Sequence, residues 1–161
     1  MQPRIENIKE KYLVGKSIKM SFSNNRTFEL WRSFAPRKKE IKNNIGSDLY
    51  SVEVYELGFF DNFNPEREFD KWAAIEVTDF NNVPDDTENI TIPGGLYAVF
   101  VYKGPASAAS KTYQYILGTW LPKSGFSLDN RPHFALMGAK YKNEDPNSEE
   151  EIWIPIKQKV Y

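Results

Sequence analysis

Acidic and aromatic side chains alternate with apolar residues in two short segments of the chain. The segment KWAAIEV places Trp72 four residues before Glu76, and EIWIPI places Glu151 two residues before Trp153. Even spacing along a β-strand puts both members of each pair on one face of a sheet. An aromatic ring attracts a cation by roughly 0.5–2 kcal/mol, and a nearby carboxylate adds a directional charge partner. This spacing therefore predicts a surface suited to a flat or cationic organic ligand.

Several other chemistries are excluded by residue counts. The 161 residues include no cysteine, which excludes disulfides, thiolate metal sites and a cysteine nucleophile. His133 is the single histidine, so a multi-histidine metal site is impossible, and we expect neither a metal nor a cofactor. A lone histidine next to Pro132 at the start of a strand is interpreted as structural rather than catalytic. No phosphate-binding loop motif or nucleophile elbow is present.

Charge and composition restrict the partners and the location. The chain carries 21 Lys and Arg against 22 Asp and Glu, which argues against binding nucleic acid or an anionic membrane through bulk charge. The N-terminal segment has no apolar signal region, and no apolar run is long enough to span a bilayer. We therefore expect a soluble, cytoplasmic protein that forms one domain over residues 1–161. The unusual feature of the composition is its 15% aromatic content.

Hydrophobic periodicity predicts the elements that position these residues. Two helices are predicted near residues 24–44 and 106–121, each by apolar residues at helical spacing. Strands are predicted at Tyr12–Met20, Tyr50–Glu56, Lys71–Thr78, Leu96–Tyr102, His133–Gly138 and Glu151–Ile156.

The order strand, helix, strand, strand occurs twice, over about residues 12–80 and 90–158. This order indicates a duplication with pseudo-two-fold symmetry, although residue identity between the halves is weak. Two β-α-β-β modules give an α+β fold in which two helices cover one face of a curved antiparallel sheet.

Strand alternation then predicts which side chains share the face that the helices leave free. Ile152, Ile154 and Ile156 form a row expected against the helices, as do Ala73, Ile75 and Val77. We also assign Val52, Val54, Phe134 and Leu136 to that side. The predicted ligand-binding residues on the opposite face are Tyr55, Trp72, Glu76, Phe100, Tyr102, His133, Ala135, Met137, Glu151 and Trp153. An alternative interpretation is that large aromatic side chains simply cover the sheet, with solvated glutamates between them. The segment GFFDNF is either a lid over the free face or, as we favour, a segment packed beneath the first helix.

Motifs in the second half resemble the GyrI-like effector-binding superfamily. The matching segments are PGGLYAVFVYKGP, a helix ending in TWLPKSGF, LDNRPHF, and SEEEIWIPIK. They cover about 70 residues strongly and the first half loosely. The resemblance implies paired β-α-β-β modules and a concave aromatic pocket between them, similar to the effector-binding domains of multidrug-sensing transcription activators. In the regulators a helix-turn-helix precedes this domain, whereas here the domain begins within about ten residues of Met1, so we expect a stand-alone, bacterial version without a DNA-binding module.

One position departs from the pattern of the family. Many members carry glutamate directly after the phenylalanine of the D-x-x-P-x-F motif, and that side chain projects into the pocket. This chain has Ala135 there. Glu151 or Glu76 could supply the acid instead.

Three functions follow as hypotheses. The main hypothesis is a binding protein for a planar, hydrophobic or cationic organic molecule. The second is a cofactor-independent hydrolase of strained electrophiles, in which Glu151 or Glu76 activates water. The third is a modulator that binds a protein partner, either gyrase or a transcription regulator. The ligand, any turnover and the oligomeric state are left open by the sequence.

Overall fold

The computed structural model describes residues 1–160 and shows an α+β fold built around an antiparallel nine-stranded sheet. Its strands are β1 (Arg4–Ile8), β2 (Lys11–Met20), β3 (Leu49–Val54), β4 (Phe69–Val77), β5 (Glu88–Ile92), β6 (Gly95–Lys103), β7 (Phe126–Leu128), β8 (His133–Met137) and β9 (Glu149–Gln158). The helices are α1 (Thr27–Phe34), α2 (Ser110–Tyr115) and α3 (Leu121–Lys123). The predicted fold class, with duplicated modules and two helical segments on one face of a curved sheet, is confirmed.

The helical segments are irregular at the positions where the sequence disfavours an α-helix. Pro36 lies two residues beyond the end of α1, and the chain continues there as a 3₁₀-helix over Ala35–Glu40. The second segment begins with a 3₁₀ turn at Ala106–Ala108 and passes from α2 through a π-helical turn, Ile116–Trp120, into α3. Within residues 1–160, no helix is long and apolar enough to cross a membrane.

Three strands were not predicted, and two of them close the sheet. Arg4 pairs with Val99 and Gly15 pairs with Glu88, and the pairs between them keep the same antiparallel register. Thus β1 and β2 run against β5 and β6 as one ribbon, with short breaks at 9–10 and 93–94. The strand order is β1-β6-β9-β8-β3-β4-β2-β5, so both ends of the sheet lie in this ribbon. The sheet therefore closes on itself.

The inner face of the closed sheet is an aromatic core. Trp72, Val52, Phe134 and Trp153 are successive cross-strand partners, so they form one row across β4, β3, β8 and β9. Phe134 stacks on Trp153 at 5.2 Å between ring centroids, and Tyr97 of β6 packs edge-on against both rings. The interior of a small closed sheet is just wide enough for side chains to fill.

The outer face carries both helices. Leu30 and Phe34 of α1 pack over β2 and β4, while Ile116, at the end of α2, packs over β6 and β9. Ile152, Ile154 and Ile156 lie beneath this second helical segment, as the alternation of β9 predicts. Between the two helices, the central strands β3 and β8 carry Ser51 and Ala135 on the outer face.

The LDNRPHF motif fastens the ribbon to the rest of the sheet. Asp129 holds the Arg131 guanidinium in an ion pair of 2.8 Å. That guanidinium donates to the carbonyl oxygens of Leu96 and Ile156 and lies over the Tyr97 ring at 4.6 Å. Asp129 and Arg131 of this motif therefore have a structural role, because the Arg131 side chain connects β6, β9 and the inner core.

We expect Trp153→Ala to lower the free energy of unfolding by about 3–5 kcal/mol, because it removes a buried ring that stacks on Phe134 and leaves a cavity in the closed sheet. Urea denaturation measures the change. The control is Phe28→Ala, since 81% of the surface of Phe28 is exposed, and this variant should stay near wild type. Equal stability of both variants would contradict a packed inner face.

Candidate functional site

The ten predicted ligand-binding residues do not share one face. Inside the closed sheet lie Trp72, Glu76, Glu151 and Trp153. On the outer, helix-covered side lie Tyr55, Phe100, Tyr102, His133, Ala135 and Met137. The prediction that Tyr55 shares a pocket wall with both tryptophans is therefore wrong.

The error arises in the two central strands, whose alternation was assigned the wrong way round. Val52 and Phe134 lie inside with the tryptophans, and this placement turns Tyr55, His133, Ala135 and Met137 outward. Both faces of β3 and β8 are buried, so alternation of polar and apolar residues cannot distinguish them.

Phe100 and Tyr102 belong to the core beneath the second helical segment. The Phe100 ring packs edge-on against Trp120 at 5.1 Å. The Tyr102 hydroxyl donates to the carbonyl oxygen of Pro105 at 2.6 Å, so its polar group is already satisfied. Their predicted place on the free face is therefore wrong.

The inner carboxylates are satisfied by neighbouring side chains. Glu76 accepts a hydrogen bond of 3.1 Å from the Tyr50 hydroxyl and lies 3.5 Å from the Lys11 ammonium. Glu151 accepts from the Trp153 indole at 3.2 Å and pairs with the Arg4 guanidinium at 2.8 Å. These bonds fix the rim of an aromatic core whose rings pack against one another.

A different group of side chains lines the cleft between the helices. The floor of this interhelical cleft is made of small side chains, Ser51 of β3 paired with Ala135 of β8. Its walls are the two helical segments, which cover the flanking strands. Both floor residues keep less than a tenth of their surface exposed, so little of the floor is open to solvent.

Three charged side chains lie in the interhelical cleft. Lys71 of β4 and Glu53 of β3 are direct cross-strand partners, and the Lys71 ammonium lies 2.7 Å from the Glu53 carboxylate. Burial raises the pKa of Glu150, the field of Glu53 raises it further, and Lys71 lowers it. The three groups therefore act on one another electrostatically and sum to one negative charge when ionised.

The polar atoms of Tyr55, Tyr113 and His133 have no side-chain hydrogen bond to any residue within 1–160. Tyr55 and Tyr113 are partly exposed, whereas His133 keeps only 5% of its surface exposed. Burial, and next the field of Glu53, hold the pKa of both tyrosines above the ordinary value.

Aromatic rings close one end of the cleft. The Tyr55 ring lies 4.9 Å from His133, 4.8 Å from Phe60 and 4.6 Å from Phe59. The two phenylalanines come from the GFFDNF segment, which packs on Tyr55 and Phe69 and does not cover the inner face. A cation held here would meet aromatic rings as well as carboxylates, and both stabilise positive charge.

Lys71, Tyr113 and Glu150 were missed by the sequence analysis. The spacing along the strands could have placed two of them, because Glu150 lies two residues before Ile152 and Lys71 lies two residues before Ala73. Both reference residues were correctly assigned to the helix side. Period-two alternation therefore placed Lys71 and Glu150 on that side as well. Tyr113 gave no such signal, since a helical aromatic residue is ordinarily part of a core.

The architecture is that of a small-molecule-binding domain, and the sequence profile of one family agrees with it. The profile described as the GyrI-like small molecule binding domain matches residues 1–157. The chain belongs to this GyrI-like family.

Individual relatives combine the fold with regulation and with ligand binding. The transcriptional regulator BrlR of Pseudomonas aeruginosa is 28% identical over 130 residues, which are 80% of this chain and 45% of BrlR. The chain thus spans about half the length of that relative. The EcmrR C-terminal domain superposes with a TM-score of 0.69 at 21% identity, covering 98% of both chains. SAV2435 bound to tetraphenylphosphonium superposes with a TM-score of 0.66 at 16% identity, covering 98% of this chain and 94% of SAV2435.

The buried His133 makes stability depend on pH. Burial lowers the pKa of His133 to about 3, whereas an unfolded histidine has a pKa near 6.5. Below pH 6.5 the unfolded chain therefore takes up a proton that the folded chain excludes, and stability falls as the pH falls. Between pH 7 and pH 5 this group alone should cost about 2 kcal/mol.

We expect His133→Phe, which keeps a ring against Tyr55, to lose about 2 kcal/mol less than the wild type between pH 7 and pH 5. Urea denaturation at both pH values measures the difference. Parallel losses in the two proteins would show that His133 is not buried in its neutral form.

Proposed function

We propose that this protein binds a lipophilic organic cation in the interhelical cleft. The observation that carries the proposal is the excess of carboxylate over ammonium in the cleft, since Glu53 pairs with Lys71 at 2.7 Å whereas the half-buried Glu150 has no ion-pair partner within residues 1–160. Buried charge is costly unless it is paired, so a cleft with one excess carboxylate gains stability from an added cation. The unpartnered Tyr55 and Tyr113 offer ring faces and hydroxyls beside it.

The lipophilic character of the ligand follows from the rest of the lining. Phe59 and Phe60 close one end of the cleft, and the floor lacks long polar side chains. Within residues 1–160, no group of three or more histidine, aspartate or glutamate side chains could hold a metal ion, whereas a cation with delocalised charge and aromatic surface needs fewer oxygen ligands. Tetraphenylphosphonium, which is bound in the related SAV2435, has these properties and serves as a probe.

Sensing is the role that we propose for this binding. BrlR and EcmrR place related domains within transcription regulators. Ligand binding here would then be read out by a protein partner or by a DNA-binding region outside the matched segment.

Neighbouring glutamates on β9 provide a matched test. Glu150 faces the cleft and Glu151 faces the inner core, so Glu150→Gln and Glu151→Gln remove the same charge from opposite faces of one strand. We expect Glu150→Gln to weaken tetraphenylphosphonium binding about tenfold, because one tenfold step corresponds to about 1.4 kcal/mol of lost charge pairing. Isothermal titration calorimetry at pH 8 measures the dissociation constants.

Glu151→Gln should bind tetraphenylphosphonium within about twofold of the wild type. The reverse result, with loss only in Glu151→Gln, would place the site inside the closed sheet. Unchanged binding in both variants would show that neither carboxylate recognises the cation.

Ala135 gives a test in the opposite direction. Its side chain lies on the cleft floor between Ser51 and Ile152, and many family members are expected to carry glutamate there. We expect Ala135→Glu to raise tetraphenylphosphonium affinity about tenfold, because the added carboxylate meets the cation in a partly desolvated site. The adjacent Leu136→Glu, whose side chain lies with the inner core, should not raise it. A gain in Leu136→Glu alone would contradict the cleft.

Hydrolysis is a second candidate function, favoured by the raised pKa of Glu150 beside the Glu53–Lys71 pair. A carboxyl group with a raised pKa serves as a general acid or base near neutral pH. Turnover of a strained electrophile, lost in Glu150→Gln and retained in Glu151→Gln, would support this function over simple binding.

A further inference from the structure

We propose that Lys71 is an internal counter-ion that limits the cleft to ligands carrying a single positive charge. This inference rests on the proposed function and adds to it the residue that determines ligand charge. It concerns a side chain that a cation-binding site would be expected to exclude, since an ammonium group repels the ligand.

The position of Lys71 is fixed by the sheet. It faces Glu53 directly across β3 and β4, and the 2.7 Å ion pair has about a tenth of each side chain exposed. On the other side, its cross-strand partner is Ile18 of β2, which offers no charge. Among the described residues, Glu53 is the side chain that pairs with Lys71.

The same ammonium also acts on the second carboxylate. Lys71 and Glu53 are the two charged groups whose fields reach Glu150, and they act in opposite directions. Ionised Glu53, Glu150 and Lys71 leave one negative charge in the cleft. One bound positive charge neutralises it, whereas a second would remain uncompensated in a partly desolvated site.

Lys71 is expected to stay in place when a ligand binds. Moving Lys71 away would leave the Glu53 carboxylate desolvated and unpaired. The free-energy cost of such an unpaired buried charge is far larger than the stabilisation that an exposed ion pair provides. A monocation therefore engages Glu150 and the aromatic rings without displacing Lys71. In this arrangement Glu53 holds Lys71, and Glu150 meets the ligand.

Ethidium and propidium provide matched probes, because they share the phenanthridinium ring system and propidium carries a second positive charge. We expect the wild type to bind ethidium at least tenfold more tightly than propidium at pH 8, measured by fluorescence titration. Lys71→Met leaves two carboxylates in the cleft, so the affinity ratio should shift at least tenfold toward propidium. Lys16→Met, on the same outer face but hydrogen-bonded to Ser33 of α1, is the control and should keep the wild-type ratio.

A double variant separates charge from folding. Lys71→Met combined with Glu53→Gln removes both members of the ion pair and keeps one net negative charge, so it should restore the preference for ethidium. An unshifted ratio in folded Lys71→Met would overturn the proposal. If Lys71→Met does not fold, the test uses the double variant and the single variant Glu53→Gln. The proposal requires that the double variant still binds ethidium and that Glu53→Gln binds it at least tenfold more weakly. Any other pattern contradicts the proposal.

Failure of the proposed function gives a different pattern. If ethidium and tetraphenylphosphonium both bind the wild type and Glu150→Gln equally, the cleft is not the cation site. By contrast, if ethidium binding depends on Glu150 but the ethidium-to-propidium ratio is the same in Lys71→Met, the cleft binds cations and only the role of Lys71 is contradicted. The two failures are therefore distinguishable.

Discussion

Closure of the sheet is the constraint on which the other features depend. The ribbon formed by β1–β2 and β5–β6 joins both ends of the strand order, and the inner residues Val52, Tyr97 and Phe134 are at most 1% exposed. Large aromatic side chains fill that volume, as Trp72, Phe134 and Trp153 do in one cross-strand row. Once the inside is a packed core, polar groups with unused hydrogen-bonding capacity can open to solvent only at the rim or on the outer face.

The outer face leaves room for such groups because the helices are placed over the flanking strands. Each helix buries the outer apolar residues of its own module, and the central pair β3–β8 is left between them with small side chains on its surface. A buried polar cluster that is only partly satisfied costs stability. Natural proteins depart from full local consistency mainly at functional sites. The cluster of Glu53, Lys71, Glu150, Tyr113 and His133 is such a departure.

The duplicated modules contribute unequally to the cleft. The first supplies the Glu53–Lys71 ion pair and Tyr55, and the second supplies Glu150, Tyr113 and the floor residue at 135. Similar backbones thus present different chemistry on the two walls. A site of this kind needs both modules, because the ion pair lies on strands of the first half and the additional carboxylate, Glu150, lies on β9 of the second half. Duplication followed by divergence explains the weak residue identity between them.

The sequence by itself determined six of the nine strands, the two helical segments and their duplicated order. It also determined the faces of strands with one strongly apolar row, as at Ile152, Ile154 and Ile156. Local periodicity was sufficient there because one face of β9 is continuously apolar. The tertiary structure decided the faces of β3 and β8 and the pairing of β1 and β5. The central strands are buried on both faces, so their alternation has no preferred direction. The short polar strand β1 becomes a strand only because β6, about ninety residues later, supplies its hydrogen-bond partners.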